Sequence, residues 1–135
     1  MAFIEWDESV SVQIQELDGH HQEIFRLINA LHEAMRQRRG QEVLEETIGR
    51  LLDYVKVHFA AEERYFEEFS YDGAYAHHLE HIEYVKAIFS FKQRFHAGEG
   101  LLAVELMDYL KGWFVNHILK TDKLYVDCFR EHGLR

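Results

Sequence analysis

Residues 44–69 read LEETIGRLLDYVKVHFAAEERYFEEF. Leu44, Ile48, Leu51, Val55, His58, Glu62, Tyr65 and Phe69 recur through this stretch in steps of three and four. Such steps place every member on one stripe of an α-helix, the stripe that faces a core. Two members, His58 and Glu62, are polar. Three further ladders have the same form: Leu17, His21, Ile24, Ile28, Leu31, Met35; Ala74, His77, His81, Tyr84, Ile88, Phe91, Phe95; and Leu102, Leu106, Leu110, Trp113, His117. Each carries at least one histidine where a hydrophobic residue is expected. A polar group on a buried seam costs several kcal/mol unless something pairs with it. Polar residues on four seams at once point to one shared partner, and a metal satisfies them together.

The chain as a whole fits a small helical domain. At 135 residues it makes one unit, large enough to bury a core. It has no proline, and its few glycines cluster near expected turns, so little interrupts long helices. We expect an N-terminal arm over 1–12 and helices over about 13–38, 41–69, 73–96 and 101–130, all within a single domain 1–135. Arg39-Gly40 is expected to close the first helix, Gly98-Glu99-Gly100 the third, and Asp72 to cap the third at its start. Short links favour antiparallel neighbours, so the fold class is all-α, an antiparallel up-down-up-down four-helix bundle.

Charge and composition exclude several functions. A net charge of −9 argues against nucleic acid and against an anionic membrane surface. No stretch approaches the roughly 20 apolar residues of a membrane span. The segment MAFIEWDESV lacks the basic and apolar regions of an export signal, and the single Cys128 suits a reducing compartment, so a cytoplasmic location is expected.

Pair spacings sharpen the candidates. His58 and Glu62 are four apart, as are His77 and His81, so each pair projects from one face one turn apart. One such histidine pair is a weak signal among ten histidines; two such pairs with His21 and His117 in register are a strong one. Asp122 stands five residues past His117, which leaves the two about 140° apart on a regular helix. Either Asp122 is no ligand, or the helix widens or ends between 117 and 122, as π-type turns at functional sites do. His20 and His78 adjoin seam histidines but are rotated toward the flank, and His96 and His132 suit helix ends. His32 reads as an ordinary satisfied side chain.

These residues resemble the hemerythrins, and among them the single-domain bacterial ones. The resemblance runs through Trp6, Leu17-Asp18-Gly19-His20-His21-Gln22, His58-Phe59-Ala60-Ala61-Glu62-Glu63, Tyr71, His77-His78-Leu79-Glu80-His81 and Trp113-Phe114-Val115-Asn116-His117 through Asp122. It implies a non-haem centre of two iron ions, joined by an oxo or hydroxo bridge, that takes dioxygen as its ligand and partner. Carried over by position, His77, His81 and His117 would hold one iron and His21 and His58 the other. Glu62 and Asp122 would bridge them. Two six-coordinate irons then keep one open position, on the iron with two histidines, and an open position marks a reactive site rather than a closed structural one.

The expected function is therefore reversible oxygen binding for storage, delivery or scavenging, without enzymatic turnover. The alternatives are a di-iron enzyme reducing nitric oxide or peroxide, and a metal-storage protein. Oligomeric state is left open, a monomer being the simplest case. The resemblance also implies an oxygen pocket lined near Trp113 and the residue after it. Hemerythrins usually carry leucine there, and this chain has Phe114.

Overall fold

The computed structural model describes residues 3–135. An arm containing a short 3₁₀ turn, Glu8–Val10, leads into α1 (Gln15–Arg36), α2 (Gly40–Glu68), α3 (Ala74–His96) and α4 (Leu102–Asn116). Then come a π-helical turn over His117–Thr121, a 3₁₀ turn over Asp122–Tyr125 and a last short helix, α5 (Val126–Glu131). Helix α1 packs on α2 and α4, and α3 packs on the same two helices. The result is an antiparallel four-helix bundle.

The four ladders form its interior. A large cluster gathers Ile24, Ile28 and Leu31 of α1, Leu44, Ile48 and Leu51 of α2, Tyr84 and Ile88 of α3, and Leu102, Leu106 and Leu110 of α4. A smaller cluster at the other end joins Val12, Ile14, Leu17, Ala61, Phe66, Tyr125 and Phe129. Along every helix the polar seam residues fall between the two clusters, so one polar layer crosses an otherwise apolar core.

The arm is pinned, not loose. The Ile4 amide donates to Asn29 Oδ1 at 2.9 Å, and Asn29 Nδ2 donates back to the Ile4 carbonyl at 2.8 Å. Asp18 accepts from the Ser11 hydroxyl and from the Val12 amide, and Lys123 Nζ reaches the Ser11 carbonyl at 2.7 Å. The arm thereby sends Ile4 and Val10 into the larger cluster and Val12 and Ile14 into the smaller, and ties α1 to the segment after α4.

Helix ends depart from expectation in three places. Gly40 opens α2 instead of closing α1; a Cβ there would meet Met35 Cγ at 2.8 Å, so the glycine permits a close helix approach. The chain reverses after α1 through Arg38, which takes the left-handed conformation at φ 60°. Asp72 is exposed and caps nothing, since the residue before α3 is Gly73 and no side chain caps there. The expected single helix over 101–130 is broken: α4 ends at Asn116 and the backbone widens next. The break absorbs the rotation that a regular helix would put between His117 and Asp122.

Leu106 is fully buried and Val57 is 61% exposed. Leu106→Ala is expected to cost about 2–5 kcal/mol and Val57→Ala less than about 0.5 kcal/mol, read by urea denaturation at equal metal loading.

Candidate metal centre

Helix pitch places the first donors. Within α2, His58 and Glu62 stand one turn apart, and within α3, His77 and His81 do the same. His21 enters from α1. His117 and Asp122 come from the widened turn, in which the Asp122 amide donates to the His117 carbonyl, a five-residue closure in place of four. With that extra residue the two side chains converge, His117 Nε2 lying 3.1 Å from Asp122 Oδ1.

All seven residues are at most 2% exposed. Asp122 straddles the group: Oδ1 is 3.1 Å from both His77 and His117, and Oδ2 is 3.0 Å from His21 Nε2. Glu62 Oε1 lies 3.1 Å from His81, 3.4 Å from His58 and 3.5 Å from His77. Two clusters that could each hold an ion result, Glu62 with His77, His81 and His117, and His21 with His58, Glu62 and Asp122. Glu62 belongs to both.

The inward atoms have no hydrogen-bond partner among the described residues: Nε2 of His21, His77, His81 and His117, Glu62 Oε1, and both Asp122 oxygens. They converge without satisfying one another. Each unmet buried polar atom costs about 1–3 kcal/mol, more when charged, and a cation at their common focus satisfies them at once. Five imidazole nitrogens with two carboxylates suit iron, manganese or zinc.

Three of the five outward nitrogens are held from behind, whereas Nδ1 of His21 and of His77 has no partner among the described residues. His117 Nδ1 meets Glu80 Oε1 at 2.8 Å, and Glu80 also accepts from the Thr121 hydroxyl at 2.9 Å. His81 Nδ1 meets Glu63 Oε2 at 3.1 Å, and His78 holds the other Glu63 oxygen. His58 Nδ1 lies 2.9 Å from His20 Nδ1. A hydrogen bond at Nδ1 fixes the tautomer that leaves Nε2 free for a metal. On the opposite side of Glu62 the Tyr125 hydroxyl donates to Oε2 at 2.7 Å.

His20 and His78, placed by sequence on the flank, are thus partners of the cluster, and Glu63, Glu80 and Tyr125 were not singled out at all. In the sequence only their adjacency to seam residues marks them. His32 stacks on Phe3, and His132 bonds to the Cys128 carbonyl at the end of α5.

Aromatic rings close over the layer. Phe59 stacks on His81 with centroids 3.7 Å apart, Trp113 on His117 at 4.2 Å, and Tyr54 on His58 at 5.2 Å. Phe114 is 1% exposed whereas Trp113 is only half-buried, reversing the order in which the ladder placed them. Phe114 lies edge-on to Tyr54 and Tyr84, at 6.2 and 5.2 Å.

A family model, the hemerythrin HHE cation binding domain, matches residues 12–129. The chain belongs to the hemerythrin family. It is similar to the bacteriohemerythrin of Pseudomonas aeruginosa, 35% identical over 130 residues, 96% of this chain and 84% of that protein. The bacteriohemerythrin of Methylococcus capsulatus is 32% identical over 129 residues, 95% of this chain and 98% of that one. Among solved structures, wild-type hemerythrin superposes with a TM-score of 0.85 at 30% identity, covering 94% of this chain and 98% of that one. A leucine-to-phenylalanine mutant superposes at 0.86 with 32% identity, covering 95% and 98%. None of the helices described is long and apolar enough to cross a membrane.

Without metal, this hemerythrin's buried groups divide the charge. Burial drives the His58 imidazole down to about 3. Burial also opposes charge on His77, but Asp122 and Glu62 outweigh it and raise His77 to about 10; His117 is raised in the same way by Asp122. A folded pKa above the unfolded value near 6.5 gives stability that is complete below that pH and lost as pH climbs through the folded pKa. His58 stays neutral in the folded state throughout and sheds its unfolded-state proton near the lower edge of that range, so it adds little slope above it. The metal-free protein is therefore expected to melt at progressively lower temperature between pH 6.5 and 10. The metal-loaded protein, whose imidazoles carry no such protons, should show a flatter profile by calorimetry.

Proposed function

We propose that this chain binds dioxygen reversibly at two iron ions, for storage, delivery or scavenging in the cytoplasm, and does not act as an enzyme. The observation that carries the proposal is the unequal division of histidines between the two groups of donors that Glu62 joins. His77, His81 and His117 gather at one end, with only His21 and His58 at the other. Under this reading His77, His81 and His117 hold one iron, His21 and His58 the other, and Glu62 and Asp122 span both. With both carboxylates spanning the pair, the end with two histidines would have one donor fewer, leaving room for a small exogenous ligand.

Two irons held by these residues would supply the redox chemistry that reversible dioxygen binding requires. The chain's own residues control the surroundings. Glu80, Glu63 and His20 keep the imidazoles of His117, His81 and His58 aimed inward through their Nδ1 contacts. His20 itself is held below its ordinary value, burial being the main cause, so it stays neutral and can accept from His58. Phe59, Trp113 and Phe114 shield the layer from bulk water, and a dry site slows escape of charged products. Apart from the groups that hold the imidazoles, the surrounding wall is aromatic, which favours a carrier over an enzyme that must move substrate protons.

The proposal is tested by an optical spectrum of the anaerobically reduced, iron-loaded protein. A visible charge-transfer band should appear in air and vanish when oxygen is removed. Irreversible oxidation would indicate an enzyme, and a spectrum featureless in both states a zinc or storage site.

The ligand assignment has its own test. His77→Ala and His117→Ala should each lose the three-histidine iron and with it the stabilisation of the bound metal, about 2.7 kcal/mol at a hundredfold excess over Kd. His78→Ala, which alters only an exposed partner of Glu63, should retain both ions by metal analysis.

Phe114 and Trp113 are proposed to line the oxygen pocket. Phenylalanine is stiffer and bulkier than leucine at this buried place. Phe114→Leu should therefore admit azide and water faster, raising the azide association and autoxidation rates several-fold in stopped-flow experiments. Phe95→Leu, at the far end of α3, should alter stability alone.

A further inference from the structure

Tyr54 is buried in the bundle with 9% exposure, one helical turn before His58 on α2. Its ring lies against the His58 imidazole with 25° between planes and against the edge of Phe114. Phenylalanine would supply all of that packing. Yet the buried Tyr54 hydroxyl has no hydrogen-bond partner among the described residues. Most buried hydroxyls find partners, as Tyr125 does on Glu62; among the described residues those of Tyr54, Tyr84 and Tyr109 do not.

The place of Tyr54 gives its orphan hydroxyl a meaning. It stacks on a histidine of the end with fewer donors, on the side of the layer where Phe114 stands. Tyr84 also has an orphan hydroxyl, but its ring contacts Trp113, Phe59 and Phe114, and among the described residues it stacks on none of the cluster histidines. Tyr54 can therefore offer a proton donor to whatever enters at the two-histidine end, while Tyr84 stands behind the aromatic wall. Tyrosine is neutral and protonated at ordinary pH, so it stabilises a ligand carrying negative charge without bringing a competing charge of its own.

We propose that Tyr54 is a specificity-determining residue whose hydroxyl donates a hydrogen bond to a small, negatively polarised ligand at the His21–His58 position. The proposal rests on the di-iron reading above. It predicts a preference for short anionic acceptors, such as azide or dioxygen carrying electron density from the metals, over neutral ligands of the same size.

The experiment compares the iron-loaded, air-oxidised wild type with Tyr54→Phe and Tyr84→Phe, titrating azide optically and recording the azide stretch in H2O and D2O. Tyr54→Phe should keep its iron, bind azide about tenfold more weakly (~1.4 kcal/mol) and lose the deuterium sensitivity of the stretch. Tyr84→Phe should match wild type in both. The metal-free Tyr54→Phe protein should melt no lower than metal-free wild type, because no protein partner loses its bond. Wild-type azide affinity with an unchanged deuterium shift in Tyr54→Phe would overturn the role of Tyr54 alone. Lower melting of that variant without metal, or loss of its iron, would make the hydroxyl structural and overturn it too. A wild type that holds iron but binds no azide would overturn both the open position and the donor. Failure of wild type to take up iron would sink the reading of the centre itself.

Discussion

Two carboxylates enclosed among five imidazoles, all almost completely buried, set the terms for the rest of this molecule. Removing so many polar groups from water is unfavourable for an apoprotein. Part of the cost is offset by proton sharing, which leaves His77 and His117 raised and Glu62 and Asp122 depressed in spite of their burial. The imidazoles and carboxylates still face a common centre with their inward atoms unsatisfied. An apolar cluster on each side of the layer holds it in register, so the bundle acts as a clamp. Cation binding is what such a clamp does, and the chain's membership of the hemerythrin family agrees with it.

The widened turn after Asn116 is where a local change of helix pitch serves the cluster. Continuing the α-helix would satisfy the backbone well and carry Asp122 to another face. One five-residue closure instead returns Asp122 to the core beside His117, and the 3₁₀ turn after it directs Tyr125 toward Glu62. Lys123 and the arm secure the same segment from outside. The arm, the turn and the second carboxylate thus form one unit, and none is independent of the others.

Much of this was legible in the sequence for a simple reason. Helical periodicity is strong in a bundle without proline, and a histidine on an apolar stripe is conspicuous because solvation cannot explain it. The five seam histidines and Glu62 were visible on those grounds; at 117–122 the geometry left two readings, no role for Asp122 or a widened turn, and only the family resemblance favoured the turn that the structure shows. Residues off the stripe were not legible. Glu63 and Glu80 look like the solvated face of a helix, and their contacts to His81 and His117 depend on how neighbouring helices cross. His20 lies a full 100° step from His21 and still reaches His58, because α2 packs close beside α1. Gly40 was misread as a stop for the opposite reason: glycine marks both helix ends and close approaches, and only the position of Met35 decides between them.

The central claim is that the buried layer holds two metal ions sharing Glu62 and Asp122. Iron K-edge X-ray absorption on the air-oxidised protein addresses it directly. The account predicts two irons per chain, imidazole scattering in the coordination shell, and an iron–iron vector within roughly 4 Å. One iron per chain, or a shell with no second metal at that range, would contradict it.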